Sequence, residues 1–360
     1  MPLILHIGSG KTGTTSIQNA FAVGAADETS EFLYPVAGGP DHNCLEALVR
    51  PANDWHRVNR MRFRDNPDAL VERAEALAKI VKLKACAGKN VLLSSEYLFS
   101  LPGPEIERLL DRLGAPRDQV RVVMYIRDPK RYFCSHMQQI VKHDFAVRRP
   151  SASQYKFKRS ICEWRNLVGH GQVSVLGFES EVSRHGDVVA SFHSFLTTEL
   201  NIQVASAPAA EPANISMSSE EAIALQEVKY SYGISPRARL EALNRAVNAC
   251  IREASKPLKL SKAAFAPWLN EYIDSIFAND LQWLKNQYGL SFCLAEASAP
   301  VSRDAKAKFG SGPDESDFVG MEFQIGQSRY LRLDSVMEHN ARTLRKLKLR
   351  AARKMQLRLK

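Results

Sequence analysis

The sequence predicts an α/β protein: a doubly wound parallel sheet flanked by helices, with a helical C-terminal part and a basic tail. Three observations predict it. Apolar runs of strand length recur at residues 3–7, 91–93, 120–126 and 173–176 and lead into polar or glycine-containing turns. Stretches of helical period lie between them, and strands alternating with helices favour parallel pairing with helices on both faces. The chain then closes on nine lysines and arginines between Arg342 and Lys360 with no acid among them.

Taken in order, Leu3-Ile4-Leu5-His6-Ile7 is a strand that runs into Gly8-Ser9-Gly10-Lys11-Thr12-Gly13-Thr14-Thr15-Ser16, and Ile17 and Phe21, one turn apart, open a helix. Phe32-Leu33-Tyr34-Pro35 is a short strand ended by proline, and residues 36–43 form a loop by their turn residues. A helix follows from about 67 to 87, with Leu70, Ala74, Leu77, Ile80, Val81 and Leu83 on or near one face and Gly88 ending it. Val91 to Glu96 is a buried strand with a polar tip, and Glu105 to Leu113 a short helix. Gln119 to Ile126 is a strand leading to Arg127-Asp128-Pro129, where Asp128 suits an N-cap and Pro129 the first helical position. Val173 to Phe178 is a further strand. Residues 205–216 read as a surface linker, Ser218 or Ser219 as the cap of a helical stretch reaching about Tyr288, and 296–317 as a flexible boundary. The expected division is a domain over 1–295, a linker over 296–334 and a tail over 335–360.

With 360 residues, 45% hydrophobic and 24% charged, the composition is globular. No charged leader with an apolar core opens the sequence, and no apolar run reaches the ~18 residues of a membrane-spanning helix. Six scattered cysteines without a C-x-x-C pair fit reduced thiols better than a zinc site or a disulfide framework, so a cytoplasmic location and no metal are expected. The net charge is +10, and the nine tail cations leave a nearly neutral body. A nucleic-acid partner, which favours charge across a domain face, is not expected.

The first strand, its glycine turn and the following helix start form an anion site, because free N–H groups and the helix dipole converge there and Lys11 adds a charge. Gly-Ser-Gly-Lys-Thr looks like an ATP-binding loop, but G-x-x-x-x-G-K-[ST] needs glycine six residues before the lysine, where Leu5 stands inside the strand. Alone, the run also fits an ordinary tight strand–turn–helix corner. Lys11-Thr12-Gly13-Thr14-Thr15 resembles the 5′-phosphosulfate loop of sulfotransferases that use 3′-phosphoadenosine 5′-phosphosulfate (PAPS). Members often carry proline or another residue where this chain has Gly10.

A second motif lies at Arg127, with Ser135 about two turns into the next helix, ~10 Å along its axis. Arginine suits bidentate phosphate binding. This spacing resembles the family's 3′-phosphate motif. The resemblance covers about residues 1–295 and extends to Asn214-Ile215-Ser216 and to Leu284 through Tyr288-Gly289. It implies a P-loop-type fold, PAPS as donor, Gly10, Lys11, Thr12, Gly13, Thr14 and Thr15 on the 5′-phosphosulfate, and Arg127 and Ser135 on the 3′-phosphate.

Sulfuryl transfer builds charge on the leaving oxygen, which Lys11 and the loop N–H groups are placed to hold. The acceptor hydroxyl needs a base. Glu96, at a strand's carboxyl end, is the first choice, against a structural pairing with Lys11 or Arg127. His42 is the runner-up, against a role as an exposed residue or substrate contact. His6 and His136 read as structural, and Trp164, Phe178 and Trp283 as packing residues. Family usage implies a carbohydrate or lipid-linked acceptor. In the tail, Leu344, Leu347, Ala351, Met355 and Leu359 fall near one helical face. That pattern fits a solvated basic end, a peripheral contact with the inner membrane face, or an acidic partner. The alternatives to a sulfotransferase are an ATP-dependent small-molecule kinase and a non-catalytic nucleotide-binding module docked to membrane.

Overall fold

The computed structural model describes residues 3–23, 32–143, 150–204, 217–231, 241–256, 258, 263–265, 267–292, 345–351 and 353–354. Five strands make one all-parallel sheet: β1 (Leu3–His6), β2 (Phe32–Leu33), β3 (Asn90–Ser94), β4 (Val120–Ile126) and β5 (Val173–Gly177), in the order β2-β3-β1-β4-β5. β1 is central, with Ile4 opposite both Leu92 of β3 and Arg121 of β4. Every residue of β1 and β3 is buried, as expected of parallel strands covered on both faces.

Alternation along the strands sends Ile4, Leu92, Val123 and Tyr125 to one face. There they pack on Ile17 and Phe21 of α1 (Thr14–Val23) and on Val188, Val189 and Phe192 of α8 (Val188–Ser194). The other face is covered by α3 (Asp68–Cys86), α4 (Gly103–Leu113) and α6 (Phe157–Val168), which bury Leu77, Leu109 and Trp164 among others. Two short helices complete this region: α2 (Arg57–Arg62), and α7 (Phe178–His185), which starts directly where β5 ends.

Helices α2, α6, α7 and α8 have no counterpart in the sequence reading; α2, α7 and α8 span eight residues or fewer, too few for a periodic signal to stand out. β2 stops at Leu33, ahead of Pro35, whose missing N–H cannot extend a ladder. Leu83, expected near the buried face of its helix, is 60% exposed, because it lies on the far side of α3 from Leu77 and Val81.

The described chain forms two compact units. The first, Met1–Asp128, Tyr155–Ala213 and Asp280–Phe292, holds the sheet. The second comprises Pro129–Gln154, Asn214–Asn279 and Cys293–Lys360. It contains α5 (Pro129–His143), α9 (Ser219–Ser231), α10 (Glu241–Ser255) and the first part of α11 (Pro267–Tyr288). Within it Ser218 caps α9 reciprocally: its hydroxyl accepts from Glu221 N at 3.0 Å and Glu221 Oε2 accepts from Ser218 N at 2.8 Å. Gln138 of α5 accepts from Met217 N at 3.0 Å, and Lys130 pairs with Asp274 at 2.8 Å.

The expected linkers at 205–216 and 296–334 lie outside the described residues, as does Asn214-Ile215-Ser216. Of the tail, residues 345–351 are helical; Leu347 and Ala351 are fully buried, and Lys354 pairs with Glu253 of α10 at 3.0 Å. Two residues of the tail's expected apolar face are therefore buried. Among the described residues no helix is long and apolar enough to cross a membrane.

Candidate active site at the carboxyl ends of β1 and β4

From β1 the chain moves outward to β2 and β3; from β4 it moves the other way to β5. Ligands of doubly wound sheets bind where the connections part in this way, beyond the strands' carboxyl ends. Here that crevice lies between the loop after β1 and the residues after β4.

The loop is anchored by Ile7 N to Val123 O (3.0 Å) and Ser9 N to Tyr125 O (3.2 Å), so it leaves the sheet only after Ser9. Thr12 Oγ1 donates to Ser9 O at 2.6 Å and closes the turn. Lys11 adopts φ 71°, a left-handed conformation that costs a non-glycine residue about 1 kcal/mol or more. Gly13, at φ 72°, has a second constraint: a Cβ there would lie 2.7 Å from Val188 Cγ1. Over Gly8 a Cβ would lie 2.7 Å from Thr12 Oγ1 and 3.0 Å from Thr14 Oγ1, so the loop is drawn tight around these hydroxyls. Gly10 has open space above it, and Thr15 is exposed.

The main-chain N–H groups of Thr12, Gly13, Thr14 and Thr15 donate to no described residue, and α1 begins at Thr14. Thr14 Oγ1 is buried without a hydrogen-bond partner among the described residues. A buried hydroxyl left unpaired costs free energy, and one at a helix N-terminus beside free N–H groups and a lysine suits an anion's oxygen.

Arg127 follows β4 and reaches the same loop. Its Nη1 donates to Lys11 O at 2.8 Å and its Nε to Glu179 Oε1 at 3.0 Å, while the guanidinium carbon stands 5.1 Å from the centre of the Phe178 ring. Glu179 Oε2 also accepts from Asp128 N at 3.2 Å. Tyr155 holds the backbone of Arg127 at both ends, its hydroxyl accepting from Arg127 N at 2.9 Å and donating to Arg127 O at 3.0 Å. Arg127 Nη2 donates to no described residue. Ser135 is half-buried two turns into α5 and belongs to the second unit.

Glu96 begins the turn that follows β3 and is half-buried. Burial raises its carboxyl above the usual glutamate value; the charge of Lys11 opposes the rise and that of Asp41 adds to it. Glu96 and Lys11 therefore feel each other's charge across the crevice.

His42 is fully buried, with both ring nitrogens on main-chain groups: Nε2 donates to Pro35 O at 2.6 Å and Nδ1 accepts from Ser94 N at 2.8 Å. Burial lowers its pKa to about 4. The neutral ring extends the β2–β3 pairing, with no nitrogen left over for an acceptor hydroxyl. His6 is likewise buried and neutral, its pKa lowered to about 3, with Nδ1 2.8 Å from Ser94 Oγ.

No family model matches the chain, and no curated protein matches it. Among solved structures, it is similar to a sulfotransferase from Alicyclobacillus acidocaldarius. The identity is 17% and the TM-score 0.38, over 68% of this chain and 96% of that one.

Phe178, Glu179 and Tyr155 border the site without having been singled out as site residues. For the first two a signal was present, since they follow directly on a strand that ends at the same edge of the sheet as β1 and β4. Tyr155 lies in a connection, 28 residues from Arg127, and no sequence pattern marks it. Among the described residues no cluster of histidine, cysteine or carboxylate side chains is arranged to hold a metal.

Proposed function

We propose that the chain is a PAPS-dependent sulfotransferase acting on an acceptor hydroxyl, on a carbohydrate or lipid-linked molecule. The observation that carries this reading is the contact of Arg127 with the Lys11 carbonyl, which joins the two anion-binding motifs in one crevice. The orphaned Thr14 hydroxyl and the undonated N–H groups of residues 12–15 fit a phosphosulfate, and the open Nη2 of Arg127 fits a second phosphate.

When bound, PAPS supplies the sulfuryl group. Lys11 and the N–H groups of Thr12 to Thr15 hold the charge that develops on the leaving phosphate oxygen, a kind of contact whose loss costs roughly 3 kcal/mol of barrier. Gly13 lets the loop turn tightly beneath the anion, and Gly10, with open space above it, leaves room for the anion to approach the backbone. Arg127 recognises the 3′-phosphate. Glu96 takes the proton of the acceptor hydroxyl; its raised pKa makes it a stronger base once ionised. His42 positions the β2–β3 edge on which Glu96 stands.

The test is calorimetric binding of 3′-phosphoadenosine 5′-phosphate (PAP) beside ADP, each without magnesium. Preference for PAP, lost in Arg127→Ala, is expected. Equal affinities, or a requirement for magnesium, would favour a kinase instead.

A further inference from the structure

Helix α2 carries a dense cluster of exposed cations. Together with Arg64, Arg57–Arg62 places four arginines (57, 60, 62 and 64) in eight residues, all exposed. None forms an ion pair among the described residues, and the nearest acids in sequence, Asp54 and Asp65, pair with none of them. Arg60 Nη1 donates to Asn53 O at 3.2 Å, and Arg62 lies 5.6 Å over the Phe63 ring. Val58 and Met61 stand between these cations 52% and 55% exposed. Like charges this close repel one another weakly in water, and an anionic surface would relieve that repulsion while covering the two aliphatic side chains.

The ridge is nonetheless rigidly mounted. Glu46, fully buried, accepts from His56 N with both carboxylate oxygens (3.0 and 2.8 Å) and from Asn59 Nδ2 at 2.7 Å. Asn59, the inward residue of α2, also donates to Asn43 O at 3.1 Å. His56 Nδ1 caps the helix by accepting from Val58 N at 3.3 Å. Its ring stacks on Tyr97 at 3.9 Å between centres, and Tyr97 follows Glu96. Burying a carboxylate is costly unless its hydrogen bonds are met. Here they are met by the two residues that fix the start and middle of this ridge.

We propose that α2 docks the protein on an anionic lipid bilayer. Val58 and Met61 enter the headgroup layer, and Arg57, Arg60, Arg62 and Arg64 engage lipid phosphates and carboxylates. The combination of cations with protruding aliphatic side chains favours a lipid surface. A nucleic-acid strand would call for a row of stacking aromatics, whereas the one aromatic side chain between these cations, Phe63, is half-buried with Arg62 over its ring; an acidic polysaccharide would leave Val58 and Met61 uncovered. Docking by itself does not depend on the enzymatic reading. Its consequence for the acceptor does: through the His56–Tyr97 stack the ridge adjoins Glu96, which would face a lipid-linked hydroxyl.

The experiment is co-sedimentation of the full chain with vesicles of phosphatidylcholine alone and of phosphatidylcholine with phosphatidylserine, with thermal melting as the folding control. Binding is expected only to the serine-containing vesicles. Replacing Arg57 and Arg62 together by Gln should weaken it roughly 30-fold, each cation near the surface contributing about a factor of five to six. V58S/M61S should weaken it at every salt concentration, and both variants should melt as the parent does. Binding lost on removing residues 342–360 but unchanged in the α2 variants would overturn the proposal. So would equal binding to both vesicles, or retention on heparin with no vesicle binding. If PAP fails to bind while α2-dependent sedimentation holds, the enzymatic reading falls and the docking surface stands.

Discussion

Arg127 Nη1 donates to the main-chain carbonyl of Lys11 at 2.8 Å, across 116 residues of sequence. The left-handed turn at Lys11 is what leaves that carbonyl available to the guanidinium. The arginine is thus fixed by backbone on one side and by Glu179 on the other, with Nη2 open. A group oriented in advance loses little freedom when it binds its ligand.

From this arrangement, Arg127→Ala should remove the preference for PAP over ADP, lowering PAP affinity about 10- to 100-fold, the worth of one charge-assisted contact. Arg127→Lys should recover only part of the loss, since an ammonium cannot serve the Lys11 carbonyl, Glu179 and a phosphate in the same plane. Titration calorimetry of the variants against both nucleotides checks this.

Lys11 carries charge and strain at one position. Lys11→Gly should relieve a left-handed conformation and keep or raise the melting temperature, while lowering kcat by about 100-fold or more. Melting curves and turnover measured on one preparation separate the two effects. A parallel loss of both would mean that the side chain's role is structural.

Gly13→Ala meets two penalties, φ 72° and a Cβ 2.7 Å from Val188 Cγ1. We expect a loss of about 2–4 kcal/mol. In the double-mutant cycle with Val188→Ala the collision disappears and only the backbone strain remains, so the losses should sum to less than the two single effects. Urea unfolding of the four proteins reads the coupling.

Buried histidines and glutamates impose opposite pH dependences. His6 and His42 have folded pKa values of about 3 and about 4, below the ordinary 6.5. The unfolded chain binds their protons first, so their contribution is intact above pH 6.5 and is lost as pH falls toward those values. The slope is up to about 1.4 kcal/mol per pH unit for each ring. His42→Gln should flatten the slope by one histidine's share. Glu96, raised above 4.5, behaves in reverse: its contribution is full below 4.5 and is lost as pH rises through its folded value. Glu96→Gln should therefore stabilise the protein at neutral pH, with the gain vanishing below about 4.5, and should abolish turnover. In the parent protein kcat should rise with pH through an apparent pKa above 4.5, a limb absent from binding of PAP.

The sheet was legible because its strands are apolar on both faces and each ends in a chemically distinct residue. Lys11 and Arg127 were legible as candidates for the same reason: a parallel sheet brings the carboxyl ends of its strands to one edge. Glu179 was not, because its value depends on β5 ending at Gly177 with a helix starting at once. His42 illustrates another limit. In sequence it is a histidine in a glycine-rich loop, whereas its two partners are a carbonyl and an N–H that any residue type would supply. Ser135 was anticipated from spacing along the chain, and it belongs to a different compact unit from Arg127.

The chain leaves the first unit after Asp128 and re-enters it at Tyr155, and the hydroxyl of that tyrosine grips both main-chain groups of Arg127. Exit and return are stitched together at a single phenol. A change within the intervening chain therefore reaches the arginine's backbone only past this stitch, which holds it from within the first unit.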